Sequence, residues 1–311
     1  MRLASIDVGT NTLRLLIADV EGGKIKPVLR DREITGLGRS MKEEGSLSDG
    51  EIEGSLRVLA RFREKMTSAG VERYFAAGTQ ALREAKNSKE FLRRAEKEAG
   101  VRIRVIAPGF EASLTALGIS STLPDELTRD ALYVDIGGGS TEFIHNGRRV
   151  EYVSTPVGVV YLTSLFPLSD PPEEWELLNL RLFVRERLER ACGNFRRRKV
   201  KRIVGTAGTY TTLAALKKKM KRYDPEMING TVMSRNEIEK LQKKLLSLTS
   251  RERLHLPGME AGREVLIVPG VVIATEAMDL VGVGETVVSD GSLLEGALLY
   301  VSRDFHKGVK V

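Results

Sequence analysis

Two stretches each place an aspartate at the end of a strand-like run, directly before a turn of small residues: "IDVGTNTLRLLI" (6–17) and "VDIGGGSTEFI" (134–144). Glycine lets backbone N–H groups approach an oxyanion without side-chain interference, and hydroxyl and amide side chains add donors. Gly9, Thr10 and Asn11 in the first stretch are therefore candidate phosphate-binding residues, as are Gly137, Gly138, Gly139, Ser140 and Thr141 in the second. Carboxylates repel phosphate unless a divalent cation lies with them, so Asp7, Asp135 and Glu142 are read as holders of Mg²⁺, or of Mn²⁺ in its place. A single glycine-containing hairpin is equally a structural turn. Two matched ones, each opening a similar run of elements, are far more specific.

A third small-residue turn, "VGTAGTYTTLAA" (204–215), falls where a strand gives way to a helix. The positive end of a helix dipole and its unpaired N–H groups make such a junction an anion site, with Gly205, Thr206, Gly208 and Thr209 as candidates. Tight strand–helix packing explains the same glycines. Neither the Gly-Lys-Ser/Thr phosphate loop nor the full dinucleotide fingerprint is present. Arg83, in "GTQALREAKN", follows a strand and offers a fork suited to phosphate, although an isolated arginine is usually a surface residue. Glu111, in "APGFEASL", opens a helix. It is either a stabilising first-turn acid or a carboxylate that positions an attacking water.

The elements that must hold these residues repeat one plan. Strands are expected near 3–6, 13–20 and 26–32. A helix over 49–69 comes next, with a Ser48–Glu51 capping box and a stop at Gly70. A strand (73–77), a helix (88–99), a strand (101–106) and a helix (110–121) complete the first half. After the polar stretch 120–130 the order restarts with strands near 131–136, 141–145 and 149–156. A long helix is next, begun by "DPPEEWE" with Asp170 as its cap, then a strand (202–205) and a helix (209–220). A capping box at Ser234–Glu237 opens another helix. The chain thus reads as two α/β domains, 1–122 and 123–311, the second with extra helices and a last helix able to pack back on the first.

Composition bounds the rest. The 311 residues, 41% of them hydrophobic, describe an ordinary globular chain. The longest apolar run, "VLIVPGVVIA" (265–274), is too short for a bilayer and is broken by Pro269 and Gly270, so no membrane partner is expected. One cysteine (Cys192) and the lack of a signal sequence fit the cytoplasm. Three scattered histidines make a His/Cys metal cage improbable. The net charge of +7 is concentrated in "RRRKVKR" (196–202) and "KKKMKR" (217–222), read either as solvated helix ends or as a polyanion track. No aromatic residues interleave with these runs, which argues against nucleic acid. Apolar residues toward the C-terminus would serve a homodimer face as well as a core.

Together "DVGTNTLRLLI", "GTQALREAKN", "DIGGGSTEF", "GTAGTYTTLAAL" and "VSDGSLLEGALL" resemble the exopolyphosphatase / guanosine pentaphosphate phosphohydrolase family, of the actin, sugar-kinase and Hsp70 superfamily. The resemblance implies two ribonuclease H-like domains with the active site in the cleft between them. It implies Asp7, Asp135 and Glu142 around the metal, Arg14 and Arg83 on phosphate, and Glu111 as general base. It also implies hydrolysis of the terminal phosphate of inorganic polyphosphate, with removal of the 5′-phosphate from guanosine pentaphosphate as the alternative. A non-catalytic sensor of guanosine tetra- or pentaphosphate and a small-acceptor kinase are more distant readings. Two departures stand out: Phe110 precedes Glu111 where the family usually has a second acid, and "GTAGT" replaces "GTGGT". The chain is similar to the short members, without the all-helical C-terminal domains of longer relatives.

Overall fold

The first strand, β1 (Arg2–Val8), is buried along nearly its whole length, as a strand covered on both faces must be. The structure is a computed structural model and describes residues 1–41, 45–193, 195, 199–303 and 309–310. The chain divides into two compact units, Met1–Ser121 with Ser292–Val311, and Thr122–Gly291.

In the first unit β1 pairs antiparallel with β2 (Thr12–Glu21), and β2 with β3 (Lys24–Ile34). On the other side β1 runs parallel to β4 (Arg73–Gly78), and β4 to β5 (Ile103–Val105). The order β3-β2-β1-β4-β5 is that expected of a ribonuclease H-like sheet. Side chains alternate across it. Ala4, Ile6, Leu15 and Ile17 join the core under helices α1 (Asp49–Ser68) and α3 (Ser88–Ala99), which flank the short α2 (Gln80–Glu84). Leu3, Leu16, Ala18 and Val20 face the opposite core with Leu114 of α4 (Pro108–Thr122) and Leu298. Leu298 lies in the last helix, Leu293–Arg303, which therefore belongs with the first sheet although the sequence reaches it last. The Ser48–Glu51 capping box is present, and Gly70 (φ +66°) and Gly100 (φ +65°) close their helices in the left-handed region.

The second unit, after the short α5 (Asp125–Thr128), repeats the order. Strands β6 (Ala131–Ile136), β7 (Thr141–Asn146) and β8 (Val150–Thr155) form an antiparallel meander. β9 (Arg202–Thr206) lies parallel to β6; the later strands are β10 (Thr231–Ser234) and β11 (Glu285–Val288). β11 pairs parallel with β9, and β10 lies beyond β11 as an added antiparallel edge. The helices are α6 (Val159–Leu165), α7 (Glu174–Cys192), α8 (Ala207–Lys217), α9 (Pro225–Ile228), α10 (Arg235–Leu246), α11 (Ser250–Leu254) and α12 (Ile267–Val281). In the first unit, β12 (Val309–Lys310) pairs antiparallel with β4, and the last helix is α13.

One sequence expectation, the cap at Asp170, changes here, and the apolar run 265–274 gains a definite form. The apolar run 265–274 opens α12, a helix buried almost all round. Pro269 is tolerated because it falls in the first turn, where its missing N–H breaks no helical bond. Asp170 does not cap α7; Glu173 does, in a capping box with Glu176. Pro171 and Pro172 disfavour helical geometry in the residue before each of them, and Asp170 is held instead by Ser250 and Arg253. The cationic run 217–222 begins at the C-terminal end of α8, as helix-dipole electrostatics favours, with Lys217 paired to Glu237 at 2.7 Å. Arg196, Arg197 and Arg198 of the other run lie outside the described residues. Among the described residues no helix is long and apolar enough to cross a membrane.

Candidate active site

The first hairpin places Asp7 directly opposite Arg14 across β1 and β2. Arg14 donates twice to one oxygen of Asp7, Nε at 3.0 Å and Nη2 at 2.7 Å, so this arginine is engaged by a carboxylate. The other oxygen, Oδ1, is buried and has no hydrogen-bond partner among the described residues. Such an orphan is costly unless something outside the protein meets it. In the turn, Gly9 N–H donates to Thr12 O at 3.2 Å, and the carbonyls of Thr10 and Asn11 accept from residues 35, 36 and 38. The turn is thus tied down through its carbonyls, and the Thr10 methyl packs where a Cβ on Gly38 would lie.

Arg83 and Glu111 come together. β4 and β5 both end on this edge of the sheet, and Thr79 N–H reaches Val8 O at 3.3 Å, fixing the start of α2 beside the end of β1. From α2, Arg83 Nη1 donates to Ile106 O at 3.0 Å and to Glu111 Oε2 at 2.6 Å. Both side chains are 20% exposed, enough for a ligand to reach them. Phe110, standing in place of an acid, has its own partners. Its ring makes edge contacts with Tyr300 (5.0 Å between centroids) and Phe75 (6.5 Å), which pins the first turn of α4.

The second hairpin repeats the first with one exchange. Gly137 N–H donates to Ser140 O at 2.9 Å, as Gly9 does to Thr12 O. Across the strands, Asp135 faces Glu142 where Asp7 faces Arg14. Two carboxylates directly opposite each other are destabilising unless a cation lies with them. Glu142 is oriented by hydroxyls, its Oε1 accepting from Ser140 at 2.6 Å and Ser154 at 2.7 Å. The glycine loop is held from behind: the carbonyls of Gly137 and Gly138 accept the first N–H groups of α6. This needs close approach, and a Cβ on Gly158 would fall 2.4 Å from Gly138 O. The N–H groups of Gly138 and Gly139 have no partner among the described residues and remain available. Thr141 is different, since its buried hydroxyl is spent on Val157 O at 2.5 Å.

At the third turn several candidates serve packing. Gly205 makes room for Tyr210, whose ring lies 2.3 Å from where a Cβ would be. Burial, then the neighbouring Cys192 and Asp135, hold the Tyr210 hydroxyl protonated well above the usual phenol range. The Thr206 hydroxyl goes to Gly291 O at 3.0 Å, and Thr209 packs against Gly270 of α12. Gly208 is the informative one: the Arg263 guanidinium covers it, with Nη1 2.0 Å from a notional Cβ. A helix N-terminus and a cation therefore meet at this turn. Arg263 has no signal in the sequence, because only the fold brings the segment before α12 onto α8.

Ala207 occupies a left-handed conformation (φ +66°) where "GTGGT" would have glycine. For an L-residue this costs about 1–2 kcal/mol, against about 0.5–1 kcal/mol of extra chain entropy lost by glycine. Ala207→Gly is expected to stabilise the protein by up to about 1 kcal/mol, read as a rise in thermal midpoint.

For a divalent cation, the chemistry of the donors fits in part within each unit. Asp135 and Glu142 offer hard oxygens, and Asp7 Oδ1 is a buried acceptor without a partner among the described residues. Among the described residues no group of three or more His, Cys, Asp or Glu forms a ready cage.

The model of the Ppx/GppA phosphatase family matches residues 16–304. Exopolyphosphatase 2 of Mycobacterium tuberculosis is 31% identical over 312 residues, covering 96% of this chain and 98% of the relative. The crystal structure of the Aquifex aeolicus family member superposes with a TM-score of 0.84 at 34% identity, over 98% of this chain and 99% of that one. An exopolyphosphatase from Cytophaga hutchinsonii gives a TM-score of 0.87 at 29% identity, over 99% of each chain. With its two six-stranded sheets and its paired Asp-x-Gly hairpins, the chain belongs to the Ppx/GppA phosphatase family and is a hydrolase.

Proposed function

We infer that this phosphatase is an exopolyphosphatase, releasing the terminal phosphate of inorganic polyphosphate. The observation that carries this is the second hairpin, where Asp135 and Glu142 stand in register beside two glycine N–H groups with no protein partner among the described residues. Relatives of matching length named exopolyphosphatase support the same substrate over guanosine pentaphosphate. In the reaction a water oxygen attacks the terminal phosphorus as the bridging P–O bond breaks, giving orthophosphate and a chain one unit shorter. Glu111 receives the proton of that water, and Arg83 fixes its carboxylate while adding positive charge. The N–H groups of Gly138 and Gly139, with the start of α8 and Arg263, meet phosphate oxygens. Asp135 and Glu142 in the second unit are the residues to hold Mg²⁺ or Mn²⁺, which when bound would neutralise charge on the phosphates, and Asp7 is the corresponding candidate in the first.

The deciding assay is orthophosphate release from long-chain polyphosphate and from guanosine pentaphosphate, with Mg²⁺, with Mn²⁺ and with a chelator. Faster turnover of polyphosphate, abolished by chelation, is expected. Preference for the nucleotide would reverse the substrate order, and release from neither would overturn the reading. Asp135→Asn and Glu142→Gln should each reduce metal affinity at least about tenfold to a hundredfold. A metal titration of activity would register this as a rise in the half-maximal concentration.

A further inference from the structure

In the second unit, the end of α6, the segment before α7, α11 and the start of α12 line a half-open cavity of about 250 Å³. Leu162, Phe166, Leu180 and Val268 give it apolar walls, and Thr163, Ser169 and Ser250 add hydroxyls. None of its lining residues is among the candidate phosphate or metal ligands. Arg253 also lines it, and this arginine is only 3% exposed. Its Nη2 donates to Asp170 Oδ1 at 2.8 Å, yet its Nε and Nη1 are buried with no hydrogen-bond partner among the described residues. Burying a guanidinium is costly unless its donors are met. Asp170 answers one of them while also accepting the N–H of Ser250 at 2.7 Å and its hydroxyl at 2.6 Å.

An apolar pocket with a few convergent polar groups is the usual form of a small-molecule site. The chemistry narrows the occupant. Unmet donors on a permanent cation suit an anionic oxygen acceptor, met at either N–H. The Asp170 carboxylate already at the site opposes a dianion, so a singly charged group is favoured over phosphate. The walls ask for a short hydrocarbon body. We propose that this cavity binds a small monocarboxylate with a branched aliphatic or single-ring body, its carboxylate on Arg253. The assignment is independent of the polyphosphate reading.

Ligand-observed NMR or calorimetry on the full chain tests it, with 3-methylbutanoate and benzoate as probes and 3-methylbutanamide and inorganic phosphate as controls. The carboxylates should bind in the millimolar range, the amide at least about tenfold more weakly, and phosphate should not displace them. Arg253→Met should weaken carboxylate binding at least about tenfold. Because that change also strips Asp170 of its charged partner, Val268→Phe serves as the second variant: it narrows the cavity with Arg253 intact and should weaken binding too. Thermal unfolding confirms that each variant is folded. The proposal fails if neither carboxylate binds, if amide and carboxylate bind alike, if phosphate competes, or if both folded variants bind as the parent does.

Discussion

Replacing Glu111 with glutamine is expected to lower kcat for metal-dependent phosphate release by about 10²–10⁴-fold, with KM and the fold nearly unchanged. Glutamine keeps an oxygen to accept from Arg83 Nη1, so the geometry built on the 2.6 Å contact survives while the capacity to take a proton is lost. If Glu111 served only as a first-turn acid of α4, the same change would cost a few tenths of a kcal/mol in stability and nothing in turnover. A parent-like kcat would therefore remove it from the reaction. Arg83→Met should behave differently, raising KM as well as lowering kcat, if the guanidinium offers charge to the substrate as proposed as well as orientation to Glu111. The two residues touch, so the double variant should lose less than the product of the single losses. Additive losses would mean that the contact is structural only.

The second large effect concerns stability. Gly118 of α4 and Gly296 of α13 lie where these helices cross in the first unit. A Cβ on Gly118 would fall 1.8 Å from Ser292 O, and one on Gly296 1.8 Å from Leu114 O. Backbone cannot yield as a flexible side chain would, so Gly118→Ala or Gly296→Ala must push the helices apart and open the core around Leu114, Leu294 and Leu298. A loss of about 3–5 kcal/mol is expected, lowering the thermal midpoint of this unit by on the order of 10 °C. Gly50 supplies the control, since a Cβ there meets nothing within 4 Å. Gly50→Ala should be neutral or stabilise by up to about 1 kcal/mol. Equal melting of Gly118→Ala and the parent would show that the crossing relaxes freely. Because Glu111 lies on the same helix as Gly118, a folded Gly118→Ala protein should also lose activity.

What could be read from the sequence was what local pattern determines. The hairpins "DVGTNT" and "DIGGGST" were legible because an aspartate, a small-residue turn and flanking apolar runs are all neighbours in the chain. The capping boxes at Ser48 and Ser234 were legible for the same reason. The residues that misled were those whose partners are distant. Thr141 and Thr206 look like phosphate donors, but their hydroxyls are claimed by Val157 and Gly291. Gly205 resembles a loop glycine and is space for the ring of Tyr210. Asp170 before two prolines resembles a cap, yet its partners come from α11. Arg263 was invisible, since nothing around it says that it will lie on Gly208. Nor does the sequence tell that Arg14, by its motif a phosphate ligand, faces Asp7, because hairpin register decides that pairing.

The placement of α13 sets an order of assembly. The second unit is one unbroken segment, Thr122–Gly291, inserted into the first, whose parts are Met1–Ser121 and Ser292–Val311. As the chain leaves the ribosome, the inserted unit has all its strands and helices before the enclosing one has α13 to cover Leu3, Leu16 and Phe75. The sheet that begins first is finished last, with one apolar face open for most of synthesis. Termination just before Ser292 would leave that face bare and sticky with the inserted unit already complete.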